Sequence, residues 1–408
     1  MNILLINHYA GSPRHGMEFR PYYLAREWVR TGHRVQIVAA SQSHVRATQP
    51  TPGSELIDGI AYRWLNTPIY TGNGLGRVKN IWAFCRQLWA DAPRMARDFK
   101  PDVVIASSTY PMDIWVARRI ARLARAKLVY EVHDLWPLSP IELSGMSPMH
   151  PFALLCQKAE NDAYRDADAV ISMLPKVHDH MAAHGLDLRK LTIVPNGISL
   201  DEWAEEAEGE PLNAALTAFL DAEHASGKIV LGYAGSHGLP NALDLLLDAA
   251  KLLPPDISVV MVGGGHEKAR LAQRVADEAI TNIALFPAIP KLQIPALLAR
   301  FDIAYIGWQR TPIYRFGIAP NKLMDYMMAR RPVLHSVDAG NDPVAECQAG
   351  LTVPPENAAA VAQGVMQLAA LPAAECSAMG ERGREFVLAN HTYPVLAQRF
   401  REAMSRIS

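Results

Sequence analysis

Residues 228–252 read KIVLGYAGSHGLPNALDLLLDAAKL, and this stretch decides the fold. Its first half, IVLGYA, is apolar without strict alternation, as expected of a strand covered on both faces. Gly235 and Gly238 then punctuate a short loop, and NALDLLLDAAKL returns its leucines at helical spacing. Strand, glycine loop and amphipathic helix form the repeating unit of an open parallel α/β sheet. The unit recurs downstream at ISVVMVG (257–263), NIALFP (282–287), DIAYIG (302–307) and RPVLHSV (331–337). Upstream it recurs at ILLIN (3–7), RVQIVAA (34–40), DVVIASS (102–108), KLVYEV (127–132), AVISM (169–173) and LTIVP (191–195). Helical segments fall between, at 18–31, 111–126, 151–167, 240–252, 266–278, 292–300 and 356–370. The series predicts two doubly wound, Rossmann-like domains. The expected boundaries are 1–200 and 228–385, joined by an acidic, strand-free linker over 201–227, with a C-terminal helix over 386–408 packing back on the first domain.

Of the 408 residues 50% are hydrophobic and 20% charged, which excludes a disordered or collagen-like chain. No apolar run approaches the ~18 residues of a membrane span. The opening MNILLINHYAG lacks the basic region and apolar length of a signal peptide, so a cytoplasmic protein is expected. Cys85, Cys156, Cys347 and Cys376 are scattered and form no C-x-x-C, which suggests neither a zinc site nor a disulfide framework. The net charge of −1 hides a split of +6 over residues 1–200 and −7 over 201–408. Such asymmetry suggests lobes with different partners, although solvated faces also accumulate charge unevenly.

Ligands of open parallel sheets sit beyond the carboxyl ends of the strands, so the loops after the strands carry the candidates. HYAGSPRHGMEFRP (8–21) offers Gly11 and Gly16 for close backbone approach ahead of a helix N-terminus that would favour an anion. EVHDLWPLSP (131–140) places His133 and Asp134 directly after a strand, where the imidazole would bond a sugar hydroxyl or phosphate and the acid would fix it or contact a polar substrate; a merely structural histidine is the alternative. The loops at Gly235 and Ser236 and at Gly263 to Gly265 suit phosphates, but neither contains the G-K-[ST] of a P-loop. In TPIYRFGIAPNKLMDYMMARRPVLHS (311–336), Pro320 and Asn321 start a helix carrying Lys322 and Asp325. Lys322 would neutralise a diphosphate together with the helix dipole, and Asp325 would accept from ribose hydroxyls; the alternative is an ordinary i, i+3 ion pair.

The order of these segments resembles the family 4 glycosyltransferases. The motifs are GHRV (32–35), HD (133–134), PNGI (195–198), YAGS (233–236), VMVG (260–263) and PNKLMDYMMARRPV (320–333). The chain is most similar to the bacterial subgroup that resembles the fucosamine transferases of O-antigen and capsule assembly. The resemblance implies a GT-B fold, two Rossmann-like domains facing each other across a cleft. It implies transfer of a sugar from a nucleotide-sugar donor, UDP-linked by expectation, to a polyprenyl-diphosphate-linked or oligosaccharide acceptor in surface-polysaccharide synthesis. It also implies retention of configuration without a metal or other cofactor, and no nucleic-acid partner. Gly16 then lies where acceptor and donor phosphate meet, and His133 contacts the donor sugar. Gly235, Ser236, Gly264, Asn321 and Lys322 face the diphosphate, Asp325 holds the ribose, and Ala288 and Ile289 meet the base. Two departures stand out. Counting back eight positions from Asp325, where many members carry a first glutamate, gives Gly317. The YAGS loop also lacks the Arg and Lys that often follow it, which leaves the positive charge to Lys322, with Arg310 or Arg315.

Residues 77–100 hold six basic and two acidic side chains interleaved with Trp82, Phe84 and Trp89, and 118–127 add five more basic positions. Such segments suit an anionic leaflet, here the cytoplasmic face of the inner membrane; two tryptophans seven residues apart also suit a core stripe. Two other functions fit the same fold: a nucleotide-sugar epimerase, and a non-catalytic nucleotide-sugar-binding assembly protein, favoured by the missing glutamate.

Overall fold

A computed structural model describes residues 1–72, 74–203 and 211–406. It divides into two units, Met1–Asn196 with Tyr393–Ser408, and Gly197–Thr392.

The first unit is an eight-stranded sheet of β1 (Asn2–Ile6), β2 (Arg34–Ala40), β3 (Gly53–Ile57), β4 (Ile60–Leu65), β5 (Val103–Ala106), β6 (Lys127–Val132), β7 (Ala169–Ser172) and β8 (Leu191–Ile193). The strand order is β3-β4-β2-β1-β5-β6-β7-β8. Every pairing is parallel except β3–β4, a hairpin in register Ile57↔Ile60. That hairpin escapes the apolar-run reading because β3 is an edge strand with exposed Gly53, Ser54 and Leu56. It turns through Asp58 and Gly59, both at positive φ, as a two-residue hairpin turn requires.

The second unit is a six-stranded parallel sheet of β9 (Ile229–Ala234), β10 (Ile257–Val262), β11 (Ile283–Phe286), β12 (Ile303–Gly307), β13 (Val333–Ser336) and β14 (Gly350–Val353), ordered β11-β10-β9-β12-β13-β14. Alternate residues of one strand feed opposite layers, as the pleat dictates. Val230, Val260 and Ile306 join Leu323, Met327 and Val387 on one face. Leu231, Val259 and Tyr305 join Leu246, Leu247 and Val365 on the other. Each such fully buried aliphatic side chain contributes about 1.5–3 kcal/mol.

The expected boundary at 200 and linker over 201–227 are corrected: the second unit begins at Gly197, and the described part of that stretch belongs to it. Residues Ala214–Ala225 form a helix whose N-cap Asn213 accepts from Leu216 N, and Leu216 and Leu220 enter the core of the second unit. Residues 204–210 lie outside the described residues. The C-terminal segment also divides later than expected. Helix Ala373–Asn390 stays with the second unit, its Gly383 against Met327. Helix Tyr393–Ser405 belongs to the first. There Tyr393 stacks on Tyr23 at 4.6 Å, Phe400 meets Trp28 edge-on at 5.1 Å, and Trp28 Nε1 donates to the Ala397 carbonyl at 3.1 Å.

Candidate functional site

In each sheet the chain leaves β1 or β9 and reverses its winding direction. The strand order puts these switch points between β1 and β5 and between β9 and β12. Loops part there and leave a crevice at the strand tips.

At the second switch point stands Lys322, one residue into the helix Asn321–Met328. Its ammonium donates to Tyr233 Oη at 3.2 Å and to Asn241 Oδ1, and lies 5.0 and 5.6 Å from the ring centroids of Tyr233 and Trp308. Among the described residues no carboxylate pairs with it. The expected alternative, an i, i+3 pair with Asp325, is not formed. Burial lowers its pKa from the usual lysine value to about 8. Asn241 and Tyr233 both also donate to the Ser236 carbonyl, at 2.9 and 2.7 Å, so one pair of neutral side chains fixes the lysine and the YAGS loop together. A Cβ on Gly235 would come 3.6 Å from Lys322 Nζ. Gly263 permits the loops to close on each other, since a Cβ there would fall 1.8 Å from the Gly235 carbonyl oxygen. Lys268 Nζ ties the second loop down by donating to the carbonyls of Gly263 and Phe286, at 2.8 and 2.6 Å.

The remaining expected donor-side residues spread around this centre. A Cβ on Gly264 would lie 3.7 Å from Ala288 Cβ, which brings the glycine loop to the turn after β11. Ala288 is exposed, and half-buried Ile289 leans on the core. Asn321 is exposed at the first turn of its helix, as is Ser236 in its loop. Burial raises the Asp325 carboxyl to about 7, against the opposing pull of Lys291 and a bond to Trp203. Lys291 is itself paired with Glu202 at 2.8 Å. Of the two arginines expected to help Lys322, Arg310 faces Asp338 at 3.8 Å, and Arg315 donates to the Pro312 carbonyl at 2.6 Å.

At the tips of β5 and β6, His133 Nε2 lies 3.0 Å from Ser107 Oγ and 3.4 Å from Glu131 Oε2. Its Nδ1 is 4.0 Å from Glu18. Glu131 is fully buried and accepts from Arg20 Nε at 2.9 Å and Ser107 Oγ at 2.6 Å. Arg20 spends its other nitrogens on the carbonyls of Pro195 and Val194. Burial alone would raise the Glu131 pKa, but Arg20 and His133 outweigh it and hold the carboxyl at about 2. Burial would likewise depress His133, and Glu131 reverses the sign, so the imidazole is raised. The expected partner was Asp134; the carboxylate that fixes the imidazole is Glu131, two residues earlier on the strand, while Asp134 is exposed. Gly16 has φ +96°, and a Cβ there would press on Ala47 N at 3.0 Å. The loop it closes leads into Glu18 and the helix Arg20–Arg30. An Asp-Ala-Asp triplet at 166–168 is engaged elsewhere: Asp166 pairs with Arg118 and Arg165, and Asp168 accepts from Leu128 N at 2.8 Å.

Sequence reasoning missed Tyr233, Asn241, Trp308, Arg20, Ser107 and Glu131. Asn241 lies in the helical leader after the YAGS loop, where its spacing carries no signal. Glu131 was the one legible omission, because an acid inside an otherwise apolar strand demands a buried cation.

Two Rossmann-like domains in one chain make the GT-B architecture. Residues 15–197 match the family model described as a glycosyl transferase 4-like domain, and 228–370 match glycosyl transferases group 1. The chain belongs to the family 4 glycosyltransferases. It is 23% identical over 362 residues, 85% of this chain and 87% of the relative, to WcaI of Escherichia coli (strain K12), a protein ascribed to colanic acid biosynthesis as a glycosyl transferase. Among solved structures it is similar in fold to HepE of Anabaena in complex with UDP-glucose, at TM-score 0.66, 14% identity and 99% coverage of both chains. Sucrose-phosphate synthase of Thermosynechococcus elongatus gives TM-score 0.73 and 17% identity, covering 99% of this chain and 98% of that one.

Proposed function

We propose that this glycosyltransferase moves a sugar from a UDP-sugar to a polyprenyl-diphosphate-linked or oligosaccharide acceptor in bacterial surface-polysaccharide synthesis, with retention and without a metal ion. The carrying observation is Lys322, a cation held by neutral groups beside a glycine loop and a helix N-terminus. A departing diphosphate would meet the ammonium, loop amides and the dipole of helix Asn321–Met328, a preorganised set of positive groups. Asp325 is assigned the ribose, and Ala288 and Ile289 the base. In the first unit His133 is assigned the donor sugar, as an imidazole held in place by Glu131, and Gly16 the acceptor side. The likeness to a UDP-glucose-bound HepE and to a colanic acid relative supports the donor and pathway class. With no enzymic nucleophile assigned, the acceptor hydroxyl attacks the anomeric carbon from the face the diphosphate leaves. A leaving oxygen takes the hydroxyl proton, and alignment of the two substrates supplies the rate.

Purified protein incubated with UDP-, GDP- and dTDP-sugars, with and without a lipid-diphosphate sugar, should release UDP only when acceptor is present. Sugar conversion without acceptor would favour the epimerase, and binding without turnover the assembly protein. A product of inverted configuration by NMR would overturn retention.

Trp82 and Trp89 bear on the acceptor's location. Both are exposed, by 63% and 47%, so the core-stripe alternative fails. Arg86 and Arg119 stack on them at 5.4 and 4.6 Å. Aromatic rings flanked by arginines suit the headgroup layer of an anionic membrane. Among the described residues no helix is long and apolar enough to cross one. Co-sedimentation with anionic but not neutral vesicles, lost at raised salt, is the expected result.

A further inference from the structure

We infer a binding site for a divalent metal of the zinc class in the first unit, formed by Glu160, His180 and His184. The one ligand atom that each offers lies within 4.8 Å of the other two. Glu160 comes from the helix Pro151–Asp166; the histidines stand four apart on the short helix His178–Ala183 and its C-cap. A spacing of four puts both rings on one side of a helix, and their centroids are 4.3 Å apart. Two imidazoles and a carboxylate, with a fourth position left to water, is a donor set that suits zinc.

Three further features point to a ligand rather than to chance proximity. His184 Nδ1 lies 2.8 Å from the His180 carbonyl, which only accepts, so Nδ1 carries the proton and Nε2 keeps its lone pair. Glu160 is oriented before any ion arrives, receiving Tyr164 Oη at 2.9 Å on one oxygen and Gln157 Nε2 at 2.8 Å on the other. Its side chain is 2% exposed, and among the described residues its one basic neighbour within ion-pair distance is His180, at 3.8 Å. A buried carboxylate without a lysine or arginine is a costly element that a bound cation would offset. Ligand atoms around a tetrahedral zinc, bonded at about 2.0–2.1 Å, stand roughly 3.3 Å apart, so the trio must contract through side-chain rotation. None of its members belongs to the groups assigned to sugar transfer. The metal would pin helix His178–Ala183 to helix Pro151–Asp166.

The test uses tag-free full-length protein stripped with a chelator and titrated with Zn(II) calorimetrically and with Co(II) by visible absorption. One equivalent of each should bind, cobalt giving the intense bands of a four-coordinate site, and zinc should raise Tm. His184→Gln should weaken zinc by about 10–100-fold or more. Glu160→Gln should do the same, and half-buried His184 supplies the deciding variant if the buried Glu160 substitution fails to fold. The neighbouring exposed His178→Gln should bind as the parent does. Absence of saturable zinc binding, or equal affinity in His184→Gln, overturns the site.

Discussion

Around His133 the charges come in pairs: Arg20 lies on Glu131, and Glu131 in turn faces the imidazole. Around Lys322 they do not: the ammonium rests on an amide oxygen and a phenol, and no acid answers it among the described residues. Both groups stand beyond strand tips of a parallel sheet, yet one network is closed and the other is left one negative charge short. The first arrangement stabilises its unit and holds an imidazole in place. The second keeps a desolvated cation whose natural complement is an anion brought from outside. Similar topology therefore yields a closed charge network in one unit and an open one in the other.

Breaking the closed network should have the largest effect. Glu131→Leu strands Arg20 in the interior, and loss of one partner of a buried pair costs about 3–5 kcal/mol. Urea unfolding of the first unit, followed by tryptophan fluorescence, should show this, and Arg20→Met with Glu131→Leu should recover much of it. If Glu131→Leu left the midpoint unchanged, the pairing account would fail. The same pair predicts acid sensitivity. The Glu131 pKa is depressed, so its contribution is complete above the ordinary glutamate range and is lost as pH falls towards about 2.

Lys322→Ala should behave in the opposite way. Turnover should fall by about 10²–10³, the 2.7–4 kcal/mol typical of removing one preorganised donor, while Tm holds or rises because a desolvated charge has gone. A full-rate variant would refute the role given to this lysine. The comparison sharpens with pH. With the lysine pKa lowered to about 8, unfolded chains hold its proton up to about 10.5. Over the window from 8 to 10.5 the unfolded state binds more protons, so the ligand-free protein gains stability as pH rises. Affinity for UDP should fall over the same window as the ammonium is lost. Calorimetric UDP titrations and melting curves at a series of pH values should diverge in sign, and Lys322→Ala should flatten both.

The smallest expected effect is on stability at Trp82 and Trp89. Replacing both with alanine should move the unfolding free energy by no more than about 0.5 kcal/mol, since each is exposed, while abolishing sedimentation with anionic vesicles.

The sequence made the strand series legible because buried parallel strands are apolar on both faces and carry their own signature. It hid what lacks that signature. The hairpin at Gly53–Leu65 has no apolar run in its edge strand, and the helix Ala214–Ala225 lies inside an acidic, strand-free stretch. At the site, residues within familiar motifs such as Lys322, Gly235 and His133 were readable. Their supports were not: Tyr233 and Asn241 reach Lys322 from 89 and 81 residues away, and Arg20 reaches Glu131 from 111. Such partners are chosen by folding, and no local spacing records them.

Helix Tyr393–Ser405 has a consequence for how this molecule is made. Because Phe400 and Leu396 complete the layer around Trp28, the first unit lacks a wall until the ribosome has translated everything up to and beyond Thr392. The second unit is synthesised whole while its neighbour waits with an open apolar seam. A nascent chain arrested before Tyr393 would therefore be the species that chaperones retain, and expressing residues 1–196 alone would reproduce it.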